Sequence, residues 1–154
     1  MNKIKICGIT NVDDANLCKD LPIDFVGFNF YPESKRFINI KMAEKLISVI
    51  GKNILKVGIF VNEDADRINN YILELDLDYV QLHGEETPEE TEKLNCKTIK
   101  AFSAMHPGLS EYILDYQSDY WLFDSSNTNE RGGTGKTFNW DILRSEEHTS
   151  ELQS

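Results

Sequence analysis

Short strand-like segments alternate with helix-like segments along this chain, and this alternation restricts the possible folds more than any other feature. The strand-like segments are rich in Val, Ile, Phe and Tyr, which favour β-structure. They lie at Lys3–Cys7, Phe25–Phe30, Leu55–Val61, Tyr79–His83, Thr98–Phe102 and Tyr120–Asp124. Strands that are separated by helices pair in parallel through right-handed crossovers. The sequence therefore predicts an α/β fold built from successive βα units.

The segments between the strands carry the spacing and the end signals of amphipathic helices. Apolar residues recur at helical intervals over 42–50, 65–75 and 109–116. Thr87 and Glu90 match a capping box, with a proline between them at the first helical position. Thr10 or Asn11 is expected to cap the first helix, and Asn62 to begin the helix over 65–75.

Two architectures fit a run of βα units: a doubly wound open sheet and a (β/α)8 barrel. No G-x-G-x-x-G motif follows the first strand, so the main reason to choose a dinucleotide-binding sheet is missing. Tyr79, Gln81 and His83 share one face of their strand. Polar groups late in a strand fit a barrel interior that opens into an active site. We therefore predict a (β/α)8 TIM barrel of which about six βα units are present.

Composition and charge exclude several classes of function. The chain has 154 residues, of which 40% are hydrophobic and 27% charged, as expected for one soluble globular domain. Its net charge of −10 argues against nucleic acid as a partner, although a local cluster of donors can still bind a small anion. The three cysteines are scattered without metal-ligand spacing, which favours a reducing cytoplasm. No signal peptide or membrane-length apolar run is present, so we expect a cytoplasmic protein without a membrane partner.

Several reactive side chains stand at the predicted carboxyl ends of strands, which meet at one edge of a parallel sheet. They are Cys7, Gln81, His83 and Asp124. A thiol and a carboxyl group at one mouth form an acid–base pair if both lie in reach of a substrate. The thiol then needs nearby positive charge to lower its pKa, and Arg36 and Lys5 are the candidates. The competing interpretations are a buried core cysteine and a structural histidine.

The glycine-rich stretch 131–137 resembles a P-loop but has the wrong spacing. The first glycine of G-x-x-x-x-G-K-[ST] would have to stand at position 130, which is Glu130. The stretch also follows the sixth predicted strand by a long loop. We expect a mobile lid over a bound ligand rather than an ATP site.

The final eleven residues, 144–154, show neither helical nor strand periodicity. They also match the translation of a common short-read sequencing adapter in one reading frame. We therefore predict that 144–154 is a non-native tail and that 1–143 is an incomplete barrel.

Five ordered motifs identify a family. They are Lys5–Thr10, Val26–Arg36, Val57–Asn62, Val80–Glu85 and Gly132–Phe138. Together they closely resemble the phosphoribosylanthranilate isomerases of tryptophan biosynthesis, and the similarity extends over essentially all of 1–143. Spacing and composition by themselves indicate only a parallel α/β enzyme.

The resemblance implies an Amadori rearrangement of N-(5-phosphoribosyl)anthranilate to 1-(2-carboxyphenylamino)-1-deoxyribulose 5-phosphate. It assigns Asp124 as the acid that opens the sugar ring and Cys7 as the base that removes the C2 proton. Arg36 matches the contact to the anthranilate carboxylate, and Gln81 and His83 line the mouth. It implies a small phosphorylated substrate and neither a metal nor a cofactor, while oligomeric state is left open.

The resemblance also implies that part of the site is missing. Barrels of this type bind phosphate mainly through the loops after strands seven and eight, which this sequence lacks. Without them the first and sixth strands become unpaired edges. We therefore expect the 154-residue polypeptide to be inactive and prone to aggregation.

Three alternatives stay open from the sequence. The first is another sugar-phosphate isomerase barrel, such as the one in histidine biosynthesis. That enzyme type is expected to use carboxylates at the mouth, so Cys7 favours the anthranilate family. The others are a binding module without catalysis and a fragment without function.

Overall fold

Six strands alternate with five α-helices in the computed structural model, which describes residues 3–124. The strands are β1 Lys5–Cys7, β2 Phe25–Asn29, β3 Leu55–Phe60, β4 Tyr79–Leu82, β5 Lys97–Ser103 and β6 Tyr120–Asp124. The helices are α1 Val12–Lys19, α2 Ile40–Ile50, α3 Ala65–Leu75, α4 Pro88–Glu92 and α5 Leu109–Tyr112, with a 3-10 turn at Ile113–Asp115. Every predicted strand is present, with each end within two residues of its predicted position.

The strands form one parallel sheet in the order β1-β2-β3-β4-β5-β6. A doubly wound sheet reverses its strand order at a switch point, whereas a barrel winds in one direction only. The sheet also curls strongly. This is shown by the Nζ atom of Lys3, just before β1, which lies 2.8 Å from the hydroxyl of Tyr120 in β6. The predicted α/β barrel architecture is confirmed as six parallel strands of such a barrel.

The ends of the helices follow their capping residues, with one correction. Asn11 caps α1 by accepting a hydrogen bond from the backbone N–H of Asp14 at 2.8 Å. The capping box at α4 is present as predicted. The predicted role of Asn62 is wrong, because Asp64 caps α3. The side chain of Asn62 instead accepts a hydrogen bond from Glu85 N at 2.7 Å, so it holds the loop after β4.

The strands place their side chains alternately on the two faces of the sheet. One face of the sheet packs against the helices, through a large apolar cluster that includes Val26, Phe28, Val80, Leu82, Leu46 and Ile68. The other face points into the barrel, where a smaller cluster contains Phe25, Val57, Tyr79 and Ile99. Further along these strands the interior becomes polar, and the carboxyl ends carry the residues described next.

Candidate active site

Cys7 is the last residue of β1, and two glycines shape its surroundings. Gly8 ends the strand with φ of +82° and donates its N–H to Gly27 O at 2.9 Å. A Cβ atom on Gly27 would lie 2.8 Å from Cys7 Sγ, so glycine at this position makes room for the thiol. The other two cysteines lie elsewhere: Cys18 is buried in α1 and Cys96 precedes β5.

The pKa of the Cys7 thiol is raised overall, although positive charges lie near it. Cys7 as a whole residue is exposed, but its sulfur lies against Gly27 of β2. Desolvation of the sulfur raises the pKa of the thiol. The positive charges of Lys5 and Arg36 lower this pKa but do not outweigh desolvation. The two candidate cations, Lys5 and Arg36, therefore both act on the thiol, but in the unliganded protein their effect on its pKa is smaller than that of desolvation.

Arg36 extends from the loop after β2 over Gly8 and acts on the thiol through its charge. The side chain of Asn29 accepts a hydrogen bond from Tyr31 N at 2.9 Å and donates one to Ser34 Oγ at 3.1 Å, so it holds this loop against the end of β2. The stem of Arg36 crosses Gly8, since a Cβ atom there would overlap Arg36 Cδ. The exposed guanidinium group thus lies at the rim of the mouth, where it is free to meet an anionic ligand.

Four polar side chains form a hydrogen-bonded chain across the mouth, which we call the mouth network: Lys5, Gln81, His83 and Asp124. Lys5 Nζ donates to Gln81 Oε1. Gln81 Nε2 lies 2.9 Å from His83 Nδ1, and His83 Nε2 lies 3.3 Å from Asp124 Oδ2. The network joins β1, β4 and β6, and it connects the environment of the predicted base to that of the predicted acid.

Burial controls the protonation of His83 in this network. Desolvation lowers the pKa of His83, and the charge of Lys5 adds to this effect. Asp124 and Glu86 act in the opposite direction, without outweighing desolvation. The imidazole is therefore held toward its neutral form beside the carboxyl group.

A buried ion pair behind the mouth supports the loop that follows β4, and sequence reasoning missed it. Lys100 Nζ lies 2.7 Å from Glu86 Oε2, and the two side chains are 1% and 3% exposed. Glu86 also accepts hydrogen bonds from the backbone N–H groups of Asn62 at 2.7 Å and Gly84 at 2.9 Å. The available signal was the position of Lys100, which shares the helix-facing side of β5 with Thr98 and Phe102.

All five predicted site residues lie within the described residues, whereas two other predicted segments lie outside them. Cys7, Gln81, His83 and Asp124 meet at the mouth, with Arg36 at its rim. The glycine-rich stretch 131–137 and the tail 144–154 lie outside the described residues. Within 3–124, no group of three or more His, Cys, Asp and Glu side chains is placed to hold a metal ion. No helix in the same range is both long and apolar enough to cross a membrane.

The family model for N-(5'-phosphoribosyl)anthranilate (PRA) isomerase matches residues 4–153. The chain belongs to the PRA isomerase family. The predicted family is confirmed, and with it the membership of this chain in a family of enzymes. A PRA isomerase of Bacillus cereus is 41% identical over 141 residues, which cover 92% of this chain and 69% of that protein.

Solved PRA isomerases share the fold as well as the sequence pattern. The enzyme from Thermotoga maritima superposes with a TM-score of 0.84 at 38% identity, covering 93% of this chain and 70% of that one. A PRA isomerase in complex with reduced 1-(o-carboxyphenylamino)-1-deoxyribulose 5-phosphate superposes with a TM-score of 0.78 at 34% identity. That match covers 94% of this chain and 69% of the other.

Proposed function

We propose that this chain carries the acid–base residues of a PRA isomerase, which rearranges N-(5'-phosphoribosyl)anthranilate to 1-(2-carboxyphenylamino)-1-deoxyribulose 5-phosphate in tryptophan biosynthesis. One observation supports this proposal above the others: a thiol on β1 and a carboxyl group on β6 open onto one mouth and are connected through the mouth network. The three free cysteines of this chain are consistent with a protein that acts in the cytoplasm.

Asp124 is proposed as the acid. Its proton passes to the ring oxygen of the ribose, the C1–O bond breaks, and the nitrogen lone pair forms a C1=N iminium. The carboxylate that remains accepts the hydrogen bond from His83 Nε2, which becomes charge-assisted at this step. The histidine thus stabilises the product of proton transfer more than its starting state.

Cys7 is proposed as the base. Its thiolate removes the C2 proton, and the electron pair of that bond moves into C1–C2 as the iminium becomes an enolamine. The enolamine then loses its O2 proton and gains a proton at C1, which gives the ketone. Lys5 and Arg36 stabilise the thiolate, and the iminium in the substrate adds a further positive charge.

Arg36 is proposed to bind the anthranilate carboxylate. Its guanidinium is exposed at the rim, and the planar fork pairs with a carboxylate through two parallel hydrogen bonds. Gln81 and His83 are proposed to line the mouth beside this ring.

The predicted division into an incomplete barrel, 1–143, and a non-native tail, 144–154, remains a proposal. The 69% share of the Bacillus cereus relative that the match covers supports the incomplete barrel, whereas the family model extends to residue 153, into the proposed tail. We also propose that phosphate binding, and with it efficient turnover, requires barrel units seven and eight.

The test compares the 154-residue polypeptide with a completed enzyme, in which 1–143 is joined to the C-terminal part of the Bacillus cereus relative. PRA turnover is followed by the loss of anthranilate fluorescence. We expect turnover by the completed enzyme, little by the 154-residue polypeptide, and a loss of about 10²–10⁴-fold in kcat for Cys7→Ala in the completed enzyme.

The alternatives are outcomes of the same assay. Turnover of the histidine-pathway aminoribosyl phosphate instead of PRA would favour the other sugar-phosphate isomerase. A folded completed enzyme that turns over neither substrate would favour a binding module. Full kcat in Cys7→Ala would contradict the role of the thiol as the base.

A further inference from the structure

Lys5 lies in the barrel interior and bridges β1 and β4, two strands that are not neighbours in the sheet. It points from β1 to the same side as Cys7, two residues further along, and its ammonium interacts with that thiol. The same ammonium donates to Gln81 Oε1 on β4, although β2 and β3 separate β1 from β4 in the sheet. Lys5 therefore couples the base to the mouth network across the interior of the barrel.

The ammonium decides which way the Gln81 amide faces. A lysine ammonium only donates hydrogen bonds, so the atom of Gln81 that meets it has to be the carbonyl oxygen. In the reversed orientation the amide NH2 would face the ammonium, donor against donor. Because Gln81 is 3% exposed, water has little access to compensate for that conflict. Lys5 thus turns the Gln81 NH2 group toward His83.

The orientation of the amide in turn decides the tautomer of His83. The Gln81 NH2 donates to His83 Nδ1, so Nδ1 has to present its lone pair and the ring proton has to sit on Nε2. Nε2–H then points at Asp124 Oδ2. Among the described residues, the charged groups that act on His83 are Lys5 from β1, Glu86 from the loop after β4, and Asp124 from β6.

We infer that Lys5 is a positioning residue that acts through Gln81 to hold His83 as the neutral Nε2–H tautomer, and that this keeps Asp124 competent as an acid. The second half of this inference rests on the proposed function, whereas the first half does not. Without Lys5 the amide of Gln81 is free to reverse and to offer its oxygen to Nδ1. Nδ1 would then carry the ring proton, and the neutral imidazole would lose the Nε2–H donor that stabilises the carboxylate left when Asp124 gives up its proton.

The role of Gln81 in this chain is orientation, not proton transport. An amide does not readily pass a proton from a nitrogen to an oxygen on the timescale of a turnover, so no proton moves from Lys5 to His83 through it. Cys7 and Asp124 therefore exchange protons with the substrate and solvent, while the network fixes geometry and charge.

The test is ¹⁵N NMR of the histidine rings in the completed enzyme without substrate, which reports the tautomer and the protonation of each ring. We expect the unsubstituted chain to show His83 with the proton on Nε2 at about pH 7. In Lys5→Met, we expect a mixture of tautomers and an upward shift of the His83 titration, because one of the effects that lower the pKa of His83 is removed. Lys5→Arg keeps a donor-only cation and should restore the Nε2–H form.

Lys3→Met is the matched control, since it removes the same charge from the same side of the same strand segment. Lys3 contacts Tyr120 and not Gln81, so this variant should leave the His83 signals unchanged. His106, which stacks on Tyr112 away from the network, serves as the internal reference. An equal His83 shift in Lys3→Met would overturn the inference, because it would show a general charge effect.

Gln81→Glu provides a second variant of nearly identical shape. Its carboxylate accepts from Lys5 and also has to accept from His83, so Nδ1 should become protonated at about pH 7. His83 signals that do not change in either Gln81→Glu or Lys5→Met would overturn the inference. Because these readouts need no turnover, the inference about the tautomer and the proposed isomerase activity can each fail separately.

Discussion

The two ends of the barrel interior are built from the same strands but use polar groups in different ways. At the mouth, Lys5 donates to Gln81 in a chain of directional hydrogen bonds that ends at Asp124. At the opposite end lies what we call the bottom layer: Lys3, Phe25, Tyr79, Lys97 and Tyr120. There, Lys3 Nζ lies 5.7 Å and 5.3 Å from the ring centroids of Phe25 and Tyr120, and Lys97 Nζ lies 5.5 Å from that of Tyr79.

The difference follows from what each lysine meets. Cations over aromatic faces tolerate small displacements, so the bottom layer closes the interior by packing. Hydrogen bonds to an amide and an imidazole depend on which atom donates, so the mouth network fixes a protonation state. Substitutions at the mouth should therefore change chemistry, and substitutions at the bottom should change stability. Lys3 and Lys5 show that residue type alone does not distinguish the two roles.

The largest expected effect separates the two ends of β6. In the completed enzyme, Asp124→Asn removes the proposed acid, and we expect kcat to fall by about 10²–10⁴-fold with a much smaller change in KM. Tyr120→Phe removes only the hydroxyl that contacts Lys3, and it should lower the thermal midpoint slightly with kcat unchanged. Steady-state kinetics and thermal unfolding of both variants give the answer. Equal effects of the two substitutions on kcat would contradict the comparison.

The next effect concerns the ion pair behind the mouth. Lys100→Met leaves the carboxylate of Glu86 buried without its cation, and we expect a loss of about 3–5 kcal/mol in the free energy of unfolding. Lys97→Met, on the same strand in the bottom layer, removes the same charge from an exposed position and should cost less than about 1 kcal/mol. Denaturant unfolding of the completed enzyme measures both. Similar losses would mean that the pair does not specifically support the mouth.

A smaller effect is expected for recognition at the rim. Arg36→Lys keeps the charge but loses the planar fork, so a product analogue should bind roughly tenfold more weakly, equivalent to about 1.4 kcal/mol. Lys35→Arg makes the reverse exchange at the neighbouring position and should leave binding unchanged. Calorimetric titration of the completed enzyme with the analogue tests this expectation. An unchanged Kd in Arg36→Lys would exclude the proposed contact to the carboxylate.

The smallest effect is the pH dependence of stability that arises from His83. Because folding lowers the pKa of His83, the unfolded chain binds this proton more readily than the folded one. The contribution of His83 to stability is therefore present above about pH 6.5 and is lost as the pH falls through its lower folded-state pKa. We expect thermal midpoints between about pH 8 and pH 5 to decline less in His83→Gln than in the unsubstituted protein. Parallel declines would show that His83 does not contribute.

The sequence by itself determined the alternation of strands and helices, the parallel sheet and the side chains that stand at its carboxyl ends. These features depend on residue spacing over a few positions, which the alternation in β4 and the capping box at Thr87 illustrate. The resemblance of five motifs was sufficient to predict the family, and the match of the family model over residues 4–153 confirms that family.

The tertiary structure alone decided how those side chains interact. Lys5 and Gln81 are 76 positions apart, and His83 and Asp124 are 41 apart, so no local pattern pairs them. The cap of α3 is Asp64 and not the predicted Asn62, whose side chain binds a loop from a later part of the chain. The pKa of Cys7 rises because desolvation depends on which atoms pack around a group, and that is fixed only when the strands come together.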